Sequence, residues 1–178
     1  MKINETKLKG CLVLEPTVFE DERGFFLETF HASKYADNAG IKESFVQDNH
    51  SRSSKDVLRG LHLQRNQPQG KLVRVVKGEV FDVAVDLRSN SPTFGEWHAV
   101  VLSETNKKQF WVPSGFAHGF LVLSEYADLE YKCTTFYDPA SEIAICWNDP
   151  TLKIAWPMKA PILSEKDRSA KKLNEVDL

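Results

Sequence analysis

Turn-forming clusters recur along this chain so often that few long helices can fit between them. Gly, Pro, Asn, Asp and Ser gather in "EDERG", "RNQPQG", "NSPTFG", "PSG", "YDPAS" and "NDP", and each of these residue types favours chain reversal. The runs between them are short: "FFLETF", "SFVQDN", "KLVRVV", "EVFDVAVDL", "WHAVVL", "FLVL" and "LEYKCTT". They are rich in β-branched and aromatic residues, and many alternate in polarity, as half-buried strands do. Many short strands joined by such turns predict an all-β sandwich or barrel. Two stretches look helical instead. "ASKYADNAG" ends at Gly40, a residue suited to a left-handed helix stop, and "SEKDRSAKKL" opens on Ser164 with an acid at Asp167, approximating a capping box.

A length of 178 residues fits one domain, residues 1–178, with a core of its own. The charges nearly balance, 23 Lys+Arg against 25 Asp+Glu, which argues against a general nucleic-acid binder or a polybasic membrane binder. Any anion must therefore be gripped by a local cluster of cations. Cys11, Cys133 and Cys146 are an odd number without paired-metal spacing, and "MKINETKLKG" carries no secretory apolar core. Reduced thiols in a cytoplasmic protein are expected. No apolar run reaches membrane-spanning length.

One segment breaks the pattern of plain strands. "VLRGLHLQRNQPQGKLVRVVKGEV" (Val57 to Val80) sets His62 among Arg59, Arg65, Lys71 and Arg74. Alternate residues of a strand share a face, so Gly60, His62 and Gln64 look one way. Arg59 looks the other way unless Gly60 marks a bulge, as an in-strand glycine often does. By the same parity Gln47 and Asn49 share a face, and so do Tyr131 and Tyr137 if their strand runs that far.

A lone histidine in a strand is most often a core side chain tied to a backbone carbonyl. A metal site would need more ligands: Gln64 stands where a second histidine would help, and His62 with His118 but no nearby carboxylate would hold a divalent ion poorly. General base remains, because imidazole exchanges protons near neutral pH. Such a base needs a carboxylate to hold its tautomer. Asp82, Asp86 and Asp167 are all candidates, although capping alone accounts for Asp167. Lys71, Arg59 and Arg23 are either solvated surface charges or, respectively, an enolate stabiliser and phosphate grips. Tyr131 and Tyr137 are either core and rim aromatics or a proton donor and a stacking platform.

Taken together and in order, "DERGFFLETF", "FVQDNHSRSSKDVLRGLHLQ", "KLVRVVKGEVFDVAVDLR", "WVPSGFAHGFLVLSE", "YKCTTFYDPASE", "WNDP" and "LSEKDR" resemble the dTDP-4-dehydrorhamnose 3,5-epimerase family over residues 10–170. The resemblance implies a cupin jelly roll and a homodimer that exchanges N-terminal strands. It implies that His62 is the catalytic base and, against the capping reading, that Asp167 orients it. Tyr131 becomes the general acid, Lys71 the partner of the substrate's C4 oxygen, and Tyr137 the residue stacking on thymine. Arg23, Glu28, Gln47, Asp48, Asn49, Arg59, His118, Glu142 and Lys166 fall where the family binds the nucleotide sugar. Arg23 and Glu28 are expected to reach a neighbouring subunit's site.

The implied reaction inverts C3 and C5 of dTDP-4-dehydro-6-deoxy-D-glucose on the way to dTDP-L-rhamnose. Both protons flank the C4 ketone, so the step calls for no metal and no cofactor. The rivals are a relative that inverts one centre or isomerises the ketone, a metal-dependent cupin such as a dioxygenase, and a binding module without activity. Leu63 and the loop "RNQPQG" depart from the family's usual pattern without touching a catalytic position.

Overall fold

The computed structural model describes residues 1–178. The chain opens with β1 (Lys2–Glu5), β2 (Leu12–Glu15), the hairpin β3 (Val18–Asp21) and β4 (Gly24–Leu27), and helix α1 (Ala32–Ala39). Next come β5 (Gln47–Ser54), β6 (Leu58–Gln64), β7 (Lys71–Lys77), β8 (Glu79–Asp86) and β9 (Trp97–Ser103). The last elements are β10 (Gln109–Val112), β11 (Phe116–Val122), β12 (Tyr126–Cys133), β13 (Glu142–Ala144), the single-turn α2 (Glu165–Arg168) and a 3-10 turn at Leu173–Glu175.

Two antiparallel sheets face one another, in the order β1-β2-β10-β7-β12-β5 and β13-β6-β11-β8-β9. This is an all-β sandwich, as the turn spacing predicts, and the jelly roll that the family resemblance implies. Strand parity sorts the side chains into three layers. Val73, Val75, Phe110 and Leu129 from one sheet meet Val80, Leu102, Phe120 and Val122 from the other, forming the central core. On the outer face of the five-stranded sheet, Leu61, Val83, Val85 and Ala117 are covered by Leu152, Leu173 and the C-terminal segment. On the outer face of the six-stranded sheet, Leu14, Leu72 and Trp111 are covered by Tyr35 of α1 and by Ile41. Because β11 is covered on both faces, its seven residues are all buried, which explains why they are apolar or glycine on both faces, His118 excepted.

Helix α1 stops where expected: Gly40 has φ 69° and its N–H donates to Ala36 O at 3.2 Å. Elsewhere the strands are shorter than their sequence runs. The "FFLETF" strand ends at Leu27, and "SFVQDN" becomes a strand only from Gln47. Strand β12 stops at Cys133, where both its neighbours run out, β5 at Gln47 and β7 at Lys71. Tyr137 therefore lies on a loop, not on the same strand as Tyr131. The second helix is one turn, with Ser164 Oγ accepting the Asp167 N–H at 3.1 Å, and the chain turns away at Ser169.

Candidate active site

At one end of the sandwich the inward-facing positions change from apolar to polar. Below Val73 and Val75 the same face of β7 presents Lys71, and beyond Leu129 the same face of β12 presents Tyr131. A cavity of about 620 Å³ opens there, in the size range of a small-molecule site. Its walls bring together Gln47, Asn49, Arg59, His62, Lys71 and His118, with Tyr131, Tyr137, Glu142, Lys166 and Asp167. His62 stands on the five-stranded sheet, while Lys71 and Tyr131 stand on the six-stranded sheet opposite.

A bulge puts Arg59 beside His62. On β11 His118 pairs with His62 and Phe120 with Arg59, so three steps along β6 oppose two along β11. Gly60 absorbs the extra residue at φ 126°. A Cβ there would stand 2.6 Å from Gly119 Cα and 2.8 Å from His118 O, so no larger residue fits. Arg59 Nε then donates to Ser53 Oγ at 2.9 Å, which fixes the side chain as it enters the cavity.

The His62 ring meets a carboxylate 105 positions away: its Nε2 lies 2.5 Å from Asp167 Oδ1. The other Asp167 oxygen accepts the Ser164 hydroxyl at 2.8 Å. Burial would raise the Asp167 carboxyl, but hydrogen bonds from His62 and Ser164 outweigh it and hold the group below its ordinary value. Asp167 is thus a cap residue by its backbone and the partner of His62 by its side chain. Ser164, read from the sequence as a cap alone, also positions that carboxylate.

The other two candidate carboxylates have different partners. Asp82 Oδ1 lies 2.8 Å from His118 Nε2, and Asp82 Oδ2 is buried with no hydrogen-bond partner. Burial pushes the Asp82 carboxyl upward against the pull of His118. Asp86 is tied to Arg88, Ser91 and Thr93, away from the cavity.

On the facing sheet, burial lowers the Lys71 ammonium, opposed by the charges of Cys133, Glu142 and Asp82. Burial raises the Tyr131 phenol, which therefore keeps its proton at neutral pH. Toward the mouth, Glu142 Oε2 accepts from Lys166 Nζ at 2.7 Å and from Tyr137 OH at 3.0 Å. An imidazole held by a carboxylate, a protonated phenol across from it and a cation alongside can pass protons to and from a carbon acid.

Three of the expected binding residues lie outside this cavity. Asp48 alternates with Gln47 and Asn49, faces the other way and pairs with Lys132 at 3.0 Å. Arg23 sits at the tip of the β3–β4 hairpin against Asp21, and Glu28 accepts from Lys34 at 2.8 Å. The hairpin exposes Phe19, Phe25 and Phe26, the last at 69%. Cys11, Cys133 and Cys146 are all unpaired. No three His, Cys, Asp or Glu side chains gather within metal-ligating reach, and no helix is long and apolar enough to cross a membrane.

Fold and site together define a cupin-type jelly roll with an acid–base cavity between its sheets. The family model described as dTDP-4-dehydrorhamnose 3,5-epimerase matches residues 5–175, and the chain belongs to that family, whose members are isomerases of nucleotide sugars. It is 56% identical over 178 residues to the dTDP-4-dehydrorhamnose 3,5-epimerase of Pseudomonas aeruginosa, covering 99% of this chain and 98% of the relative. Its structure superposes with a TM-score of 0.96 on the dTDP-6-deoxy-D-glucose-3,5-epimerase of Legionella pneumophila in complex with dTDP-4-keto-L-rhamnose. That protein is 56% identical, over 99% of this chain and 94% of the other. A 3'-monoepimerase of Streptomyces bikiniensis in complex with dTDP-quinovose is more distant, at 33% identity and a TM-score of 0.89 over 95% of this chain and 86% of the other.

Proposed function

We propose that this protein is a dTDP-4-dehydrorhamnose 3,5-epimerase, inverting C3 and C5 of dTDP-4-dehydro-6-deoxy-D-glucose to give dTDP-4-dehydro-L-rhamnose. The observation that carries the reading is the His62–Asp167 pair facing Lys71 and Tyr131 across one cavity. The ketone at C4 acidifies the hydrogens on both neighbouring carbons, so removal of either leaves an enolate. His62 Nε2 is occupied by Asp167, which leaves Nδ1 to take the proton and the carboxylate to stabilise the resulting imidazolium. Lys71 meets the charge that develops on O4. Tyr131, from the opposite sheet, returns a proton to the other face of the ring, and the centre inverts. Positioned proton transfer contributes roughly 10²–10⁴-fold, and a donor aimed at the oxyanion about 10²–10³-fold more.

Away from the reacting carbons, Arg59 and His118 hold the diphosphate and Tyr137 stacks on thymine, with Gln47, Asn49, Glu142 and Lys166 completing the nucleotide-sugar contacts. Arg23 and Glu28 serve the site of a second copy in a homodimer with exchanged N-terminal strands. Two features support that reading, the exposed phenylalanines of the β3–β4 hairpin and the place of both residues outside the walls of their own cavity. Asp48, on the outer sheet face, belongs with them near that interface. Unpaired thiols fit a cytoplasmic location.

Incubating enzyme and ketosugar in D₂O tests the assignment: deuterium should enter at both C3 and C5, and His62→Ala should abolish uptake at each. Substantial uptake by that variant rejects His62 as the base. The likeness to a monoepimerase sustains a second reading, inversion at one carbon only, and label at C3 or C5 alone would establish it.

A further inference from the structure

Gln64 ends β6 two residues beyond His62 and is 5% exposed. Its side chain spends three hydrogen bonds on the backbone of two neighbouring loops. Nε2 donates to Gln67 O at 2.8 Å and to Phe136 O at 3.2 Å, and Oε1 accepts the Asp138 N–H at 2.9 Å. The residue between the last two groups is Tyr137. Its own N–H donates to Gln47 Oε1 at 2.9 Å, so two glutamines hold the Phe136–Asp138 backbone from either side.

The ring they carry has little else to hold it. Tyr137 is 49% exposed, and its one side-chain hydrogen bond runs from OH to Glu142 Oε2 at 3.0 Å. Without core packing, the direction of an exposed ring is set by its backbone. The two loops are also zipped to each other, by Gln69 Nε2 to Thr135 O at 2.7 Å and Gly70 N–H to Thr134 Oγ1 at 2.8 Å. Of these contacts, those of Gln64 are the ones that tie both loops to the rigid strand carrying His62.

We infer that Gln64 is a positioning residue for the nucleobase end of the site, acting through the main chain of Phe136 and Asp138 to hold Tyr137 ready for a flat ring. The inference rests on the proposed stacking of Tyr137 on thymine. Loosening the loop makes ligand binding bear the cost of ordering it. That cost falls on affinity, while the chemistry at His62, which the β6 ladder and Asp167 hold independently of these loops, is untouched.

The probe is dTDP, bound to the whole protein and followed by calorimetry. Gln64→Met keeps the length of the side chain and removes its polar groups. It should raise Kd for dTDP by about tenfold, the effect of one or two lost buried hydrogen bonds, with kcat held within about twofold. In a Tyr137→Ala background the same substitution should change Kd by less than about twofold, since the ring it positions is gone. An unchanged Kd, an equal change in both backgrounds, or a loss of kcat without a change in Kd would each overturn the inference. Amide hydrogen exchange on the unliganded natural protein gives a check that needs no variant. The Asp138 amide should exchange slowly, and exchange at the rate of open loop overturns the latch. Failure of the natural protein to bind dTDP at all would reject the nucleotide-sugar reading and this inference with it, an outcome distinct from normal binding that Gln64→Met leaves unaltered.

Discussion

Asp167→Asn isolates the electrostatic half of the site, because the substitution keeps shape and removes charge. The backbone cap survives, since Ser164 Oγ accepts the main-chain N–H of residue 167 whatever its side chain. What is lost is the ion pair that the proposed mechanism forms when His62 takes a proton, between a carboxylate 3% exposed and a ring 20% exposed. At an effective dielectric near 20, unit charges about 4 Å apart attract by ~4 kcal/mol. With 1.36 kcal/mol per tenfold in rate, turnover should fall about 10³-fold. A second effect adds to it. An asparagine amide that donates to His62 Nε2 forces the ring proton onto Nδ1, the nitrogen proposed to accept from the sugar. The rate of deuterium entry at C3 and C5, measured by NMR with enzyme in excess, separates this chemical defect from substrate affinity. Binding of dTDP should be unchanged within about twofold. A variant that incorporates deuterium within tenfold of the natural rate would refute the dyad.

Other expectations follow from the same geometry. Tyr131→Phe should impair inversion while some proton exchange with solvent persists, because forming the enolate needs the base and not the phenol; full epimerisation by this variant, judged by product NMR, counts against the assignment. Gly60→Ala should lower stability by about 3 kcal/mol or more in urea unfolding, since its Cβ has no room beside Gly119 and φ 126° is hostile to alanine; a variant of natural stability would show that the bulge relaxes freely. Burial would raise the Asp86 carboxyl, but Arg88, Ser91 and Thr93 hold it far below its ordinary value, and Asp167 is lowered too. A carboxylate lowered on folding stabilises above its unfolded value near 3.8, and that stability is lost as pH falls further toward the folded value. The urea midpoint should therefore drop below about pH 4, and Arg88→Met should shrink the drop.

What the chain alone determined is local in origin. "KLVRVV" and "EVFDVAVDL" made strands because side chains of a pleated ribbon point alternately to two faces, and both faces carried apolar residues to bury, Val73 and Leu72 in the first, Val80 and Val83 in the second. Gly40 stopped a helix because it tolerates the left-handed backbone that ends one. His62, Lys71, Tyr131 and Asp167 stood out only as part of a long ordered set of motifs, and nothing near any one of them in sequence points to the role proposed for it. Only the closed fold decided which groups meet. It chose Asp167 for His62 over a separation of 105 residues, gave Asp82 to His118, turned Arg59 inward through the extra residue at Gly60, and sent Asp48 to the outer face. Pairings of that kind depend on the register and curvature of strands far apart in the chain. Periodicity specifies which face a residue joins, but where two faces come together is fixed only when the sheets pack.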